Sequence, residues 1–179
     1  MSAGVGIPSL SLPGVRDTRK YFIGAERFAG VDGPAGWQPE KTFTTANNMM
    51  IRALVQLDDV WPKADLKFRV VWSTDSTTTT DGVTWRVRIA KAVVDTTALD
   101  GITLTALDTT ITEDFAIGTA NVPLKTAAGL KIGGILADPT DFLFVAVDCN
   151  AVTGLSLDEF TGARVTFLGL EIEYVRGNL

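Results

Sequence analysis

Between Asp65 and Asp95 apolar side chains fall on every second residue. Leu66, Phe68, Val70 and Trp72 alternate with Lys67, Arg69 and Val71; further on, Trp85, Val87 and Ile89 alternate with Arg86, Arg88 and Ala90. A strand sends successive side chains to opposite faces, so each run has one apolar and one charged face. This period of two predicts a half-buried antiparallel hairpin. Its arms are joined by residues 73–82, a Thr- and Asp-rich stretch closing on Asp81-Gly82, a turn signal. The stretch is too long for a tight turn and is expected to project as a solvated loop. Trp72 and Trp85 then read as core anchors, and Lys67, Arg69, Arg86 and Arg88 as one basic outer face, a candidate docking surface.

The rest of the chain repeats the strand pattern. Residues 20–29 predict a first strand with Phe22 and Phe28 on one face. Residues 47–57 predict another, with Met49, Ile51, Ala53, Val55 and Leu57 on one side and Arg52 and Leu54 on the other. Short strands are expected between residues 102 and 136. Residues 142–149, FLFVAVDC, are apolar on both faces, which predicts a central strand covered on both sides, with Phe142 and Phe144 available for subunit packing. Residues 164–175 predict the last long strand, with Leu168, Leu170, Ile172 and Tyr174 on one face and Glu171 and Glu173 on the other. About eight strands with turn signals between them predict an all-β protein, an antiparallel β-sandwich of jelly-roll type, over residues 20–179.

Residues 1–19 fit neither period, and Pro8 and Pro13 discourage helix. Ile7, Leu10, Leu12 and Val15 make the stretch more apolar than a solvated tail, which favours an extended arm docking on a neighbour. Trp37, in the turn-rich GVDGPAGWQP, is a candidate plug or subunit contact; stacked on a sugar it would instead mark, with Trp61, a carbohydrate-binding module.

Charge and composition exclude several classes. The net charge is -5, with no Lys/Arg cluster beyond Arg16, Arg19 and Lys20. Such a chain gains no counterion-release affinity for nucleic acid and is repelled by anionic membranes. No stretch reads as a signal peptide or a membrane helix, so the expected setting is the cytoplasm or a particle assembled there. Histidine is absent, which removes Ser-His-Asp and Cys-His mechanisms and imidazole metal sites. The single Cys149 has apolar neighbours and reads as a small buried hydrophobe.

What remains is carboxylate chemistry and hard-metal binding. Asp58-Asp59, Glu113-Asp114, Asp158-Glu159 and the pair Glu171 and Glu173 are the candidates. The last two sit about 7 Å apart along one strand face, within glycosidase range. Alternating charge is also what any solvated strand shows. Asp75, Asp81, Asp95 and Asp100 are loop carboxylates of the kind calcium prefers, but without the D-x-D-x-D-G spacing. No phosphate-binding glycine loop or nucleophile elbow is present. The chain reads as non-enzymatic, with no cofactor or metal.

Two segments carry a family resemblance. In residues 70–93, VVWSTDSTTTTDGVTWRVRIAKAV, a Trp ends one strand, a polar loop follows and Trp-Arg-Val opens the next. Residues 164–175, RVTFLGLEIEYV, close the chain's last strand. Over residues 20–175 the chain resembles the small, His-free, Thr-rich jelly-roll virion proteins of tailed bacteriophages, head decoration (cement) proteins above all. The resemblance implies a homotrimer on the capsid exterior that clamps neighbouring major capsid proteins, with no catalytic residues, nucleic acid or membrane involved. A receptor- or carbohydrate-binding module of a phage fibre or tail is the alternative.

Overall fold

The structure is a computed structural model and describes residues 17–30, 41–43, 50–57, 60–61, 63–99, 101–109, 111, 114–136, 141–149 and 165–177. In chain order the strands are β1 (Thr18–Gly24), β2 (Ala29–Gly30), β3 (Lys41–Phe43), β4 (Met50–Gln56), β5 (Leu66–Thr74), β6 (Gly82–Val83) and β7 (Trp85–Ala92). They continue with β8 (Thr105–Ala106), β9 (Asp114–Phe115), β10 (Leu124–Lys125), β11 (Gly129–Lys131), β12 (Phe142–Cys149) and β13 (Val165–Val175). Among the described residues the only helical turn is the 3-10 turn Ala25–Arg27.

Two antiparallel sheets form the sandwich. The first runs β1-β13-β5-β10, with β11 also on β5 and β3 also on β13; the second runs β2-β4-β12-β7-β8. The pairing has one rule. β1 pairs with β13 and β5 with β10 in the first sheet, while β4 pairs with β12 and β7 with β8 in the second. The first of these eight strands meets the last, the second the seventh, the third the sixth and the fourth the fifth. A long antiparallel hairpin rolled over two sheets produces this order, which is the jelly roll.

That winding corrects the expected hairpin. β5 and β7 are both strands with the anticipated alternation, and their burial alternates residue by residue. They are not partners: β5 lies between β13 and β10, and β7 between β12 and β8. Alternation identifies the buried face of a strand but not its neighbour. Residues 75–81 carry the chain from one sheet to the other, pinned by the Ser76 amide on Thr74 Oγ1 (3.0 Å), the Thr78 amide on Ser76 Oγ (3.0 Å) and the Asp81 amide on the Thr78 carbonyl (3.1 Å).

The core is built where the inner faces meet. Trp72, Phe68 and Phe167 from the first sheet and Trp85, Ile51 and Ile89 from the second are fully buried. Trp72 and Trp85 touch across the gap with ring centroids 6.4 Å apart, and Trp85 lies 6.1 Å from Phe167, which meets Phe28 edge-on at 4.9 Å.

Two face assignments change. Phe22 points outward and is half exposed, while Tyr21 and Ile23 turn to the core; the 3-10 turn then resets the parity so that Phe28 is buried. On β13 the register shifts between Phe167 and Gly169. This bulge inserts one residue, so Phe167 rather than Leu168 faces inward, while Leu170, Ile172 and Tyr174 keep the expected side. Gly169 is opposite Gly24 on β1, and a Cβ there would collide with the Phe22 ring and the Ile23 carbonyl oxygen. β12 is central as expected, between β4 and β7. Its Leu143, Val145 and Val147 enter the core, and Phe144, Ala146 and Asp148 on the opposite face are buried as well.

Candidate functional site

Two charged surfaces stand on the outer faces of the sheets. On the first sheet β13 contributes Glu171 and Glu173, which the register sets directly opposite Arg69 and Lys67 of β5. Lys67 Nζ donates to Glu173 at 2.9 Å, Arg69 Nη1 reaches Glu171 at 3.2 Å and Glu173 at 3.0 Å, and Lys125 Nζ donates to Glu171 at 2.8 Å. Lys20 adds longer ion pairs at 3.6 and 3.9 Å. Two carboxylates are thus held by four cations.

Both carboxyls sit below the ordinary glutamate value. For Glu171 the foremost cause is the hydrogen bond from Lys125, and for Glu173 the one from Lys67; partial burial opposes each. A glycosidase needs one carboxyl raised so that it holds a proton at working pH. This pair is pushed the other way, which makes it a poor acid and a good structural anion. Because the folded-state values lie below the unfolded ones, the stabilisation is complete above the ordinary glutamate value of 4.5 and is lost as pH falls through the folded-state values. A Glu171→Gln/Glu173→Gln double variant is therefore expected to be less stable at pH 7 and to lose less further stability below pH 4.5. Urea melts from pH 7 to 3 read this; wild-type and variant curves that stay parallel would show that the network contributes nothing to acid sensitivity.

On the second sheet Asp148 of β12 is fully buried between two arginines of β7. Arg86 Nε donates to Oδ1 at 2.8 Å and Arg88 Nη2 to Oδ2 at 3.0 Å. Ala146, next on that face, is flanked in register by Arg52 of β4 and Arg88 of β7, and Phe144 by Leu54 and Ala90. Arg52 Nε is sealed from solvent and has no hydrogen-bond partner.

The single basic face expected over Lys67, Arg69, Arg86 and Arg88 does not form. Lys67 and Arg69 lie on the first sheet, Arg86 and Arg88 on the second, and carboxylates engage all four. The division follows from β5 and β7 belonging to different sheets. Phe142 and Phe144 do share a face with Arg86 and Arg88, and the fold adds Arg52, Leu54 and Asp148 to it. Alternation along residues 47–57 already put Arg52 and Leu54 on one side of a strand, but only the pairing with β12 shows what they stand beside. Trp61 is half-buried, its amide donating to the Val175 carbonyl at 2.9 Å. Ile7, Leu10, Leu12, Val15 and Trp37, the side chain of Cys149, Asp58-Asp59, Asp100, Glu113 and Asp158-Glu159 lie outside the described residues or side chains.

Two modest cavities are lined by described residues. One of about 320 Å³ is lined by Lys63, Asp65, Lys67, Glu173 and Tyr174 at the Thr18 end of the first sheet. A second, of about 220 Å³, lies along Thr84–Val87 against Leu107 and Ile111. Among the described residues no group of three His, Cys, Asp or Glu side chains is placed to hold a metal ion, and no helix is long and apolar enough to cross a membrane. No protein-family model matches the chain, and no curated protein matches it.

Proposed function

We propose that this chain is a non-enzymatic structural subunit of a tailed-phage particle, bound to the capsid exterior and bracing neighbouring major capsid proteins. It reaches the particle after assembly in the host cytoplasm and works as a homotrimer. The observation that carries the reading is the state of the outward charges. On both sheets the carboxylates are tied into ion pairs on a rigid sandwich, and apolar side chains such as Leu54 and Phe142 stand among them. Such faces suit contact with protein, since aromatic residues and arginine are enriched where protein surfaces meet. The likeness of residues 70–93 and 164–175 to cement proteins names the kind of protein met.

The test is co-sedimentation of purified protein with undecorated capsids of the phage encoding it. Binding that saturates at a fixed ratio, with a rise in shell melting temperature, is expected. Removal of residues 1–16, which spares β1, is expected to weaken that binding. A shell that neither retains the protein nor gains stability rules the reading out. A glycan array with wild type and Trp37→Ala tests the receptor-binding alternative.

A further inference from the structure

Residues 92–124 contain Asp95, Asp100, Asp108, Glu113 and Asp114 and neither Lys nor Arg. The stretch leaves the end of β7 and runs through β8 and β9 to the start of β10, so it lies where β8 ends the second sheet and β10 ends the path of the first. Its first loop is a built turn. The amides of Thr96 and Thr97 bond to the Val93 carbonyl at 3.3 and 3.0 Å, and the Val93 amide bonds back to Thr97 Oγ1 at 3.0 Å. At the tip Asp95 takes a left-handed backbone (φ 58°), a conformation Asp tolerates better than most residues. Val94 and Leu99, 49% and 42% exposed, stand on the same loop. A fixed loop therefore presents a carboxylate together with two apolar side chains.

The outer face of the second sheet has the opposite character. Among the described residues, Arg52, Arg86 and Arg88 share it with the carboxylate of Asp148. Among the described residues Arg52 has neither a hydrogen bond nor an ion pair, although its Nε is out of solvent. Arg52 as a whole is only half-buried, and a carboxylate brought to it would add a charge-assisted hydrogen bond. Beside Arg52 on the same face are Leu54, 39% exposed, and Phe142, half-buried. Within one molecule the loop and Arg52 stand apart. The loop departs beside Phe142, whereas Arg52 is four residues along β12 from that row and two strands across from β7. That is roughly 13 Å along the strand and 10 Å across it.

We propose that this chain binds a second copy of itself through these two surfaces. The β7–β8 loop of one copy docks by Asp95, Val94 and Leu99 onto Arg52, Leu54 and Phe142 of the next. The sign of the charge selects this arrangement over a twofold face-to-face contact, which would oppose two arginine-rich faces. The contact is heterologous, so each copy keeps one free loop and one free face, and a rotation that closes after a few copies makes a ring. This deepens the self-association proposed above; the pairing of surfaces comes from charge and side-chain layout alone. Capsid binding and mass in solution therefore test the two ideas separately.

Sedimentation equilibrium of the full chain decides it. Wild type is expected as a closed oligomer at micromolar concentration. Arg52→Glu removes the face and Leu99→Asp the loop, and each is expected to weaken association by roughly thirtyfold or more, as for loss of a desolvated contact. Each variant retains the surface the other has lost, so an equal mixture is expected to form one-to-one dimers. Lys67→Glu, on the other sheet, is expected to leave the mass unchanged. A monomeric wild type, a Leu99→Asp variant with wild-type mass, or a mixture that stays monomeric would each overturn the proposal. Leu99 is exposed, so this arm stands even if Arg52→Glu disturbs folding.

Discussion

Asp148→Asn is expected to lower the unfolding free energy by about 3–5 kcal/mol, the range for removing one partner of a buried ion pair. The substitution keeps the shape and removes the charge. Asp148 is fully buried, and it answers Arg86 and Arg88 through two separate hydrogen bonds. Both arginine side chains are about three-quarters buried, so water cannot replace the lost carboxylate in full. Converting Asp148, Arg86 and Arg88 together to apolar residues of similar volume is expected to be far milder, because the anion and the two cations that answer it are then removed together. Equilibrium urea denaturation at pH 7 measures both. A loss below about 1 kcal/mol for Asp148→Asn, the level of an exposed pair, would mean that the site is hydrated in solution.

The second large effect is expected at the seam between the sheets. Trp85→Ala should cost about 3–5 kcal/mol, as for other aromatic truncations in a core. Trp85 is 1% exposed and touches two aromatic rings of the opposite sheet, Trp72 and Phe167. A double-mutant cycle with Trp72→Ala is expected to show coupling of about 0.5–1.5 kcal/mol. Urea melts of the four proteins supply the cycle. Strict additivity would mean that the two rings fill space independently and do not join the sheets.

The same two tryptophans show how far the sequence could be read. Both were legible as core anchors, because each lies on the apolar side of an alternating run. That they belong to different sheets was not legible, since the period of two is the same whichever strand lies alongside. The Lys67, Arg69, Arg86 and Arg88 set failed for this reason: residues close in sequence were assigned to one face, and the roll of the chain separated them. Phe22 and Leu168 failed through local breaks in parity, a 3-10 turn and a bulge, which single-residue periodicity cannot anticipate. On β12, Asp148 interrupts an otherwise apolar face, and its burial becomes intelligible only once Arg86 and Arg88 lie beside it.

Sequence alone therefore determined the class of the fold and the inner face of most long strands, because burying one side of an extended chain depends only on local alternation. It also determined the absence of imidazole chemistry, which composition decides. Only the tertiary structure decided which strands are neighbours, which cations meet which carboxylates, and that Arg52 shares an outer face with Arg86 and Arg88. Those contacts join residues far apart in the chain, such as Arg69 to Glu171 and Arg86 to Asp148. They follow from the order in which the rolled hairpin lays its strands down, and alternation along a single strand carries no record of that order.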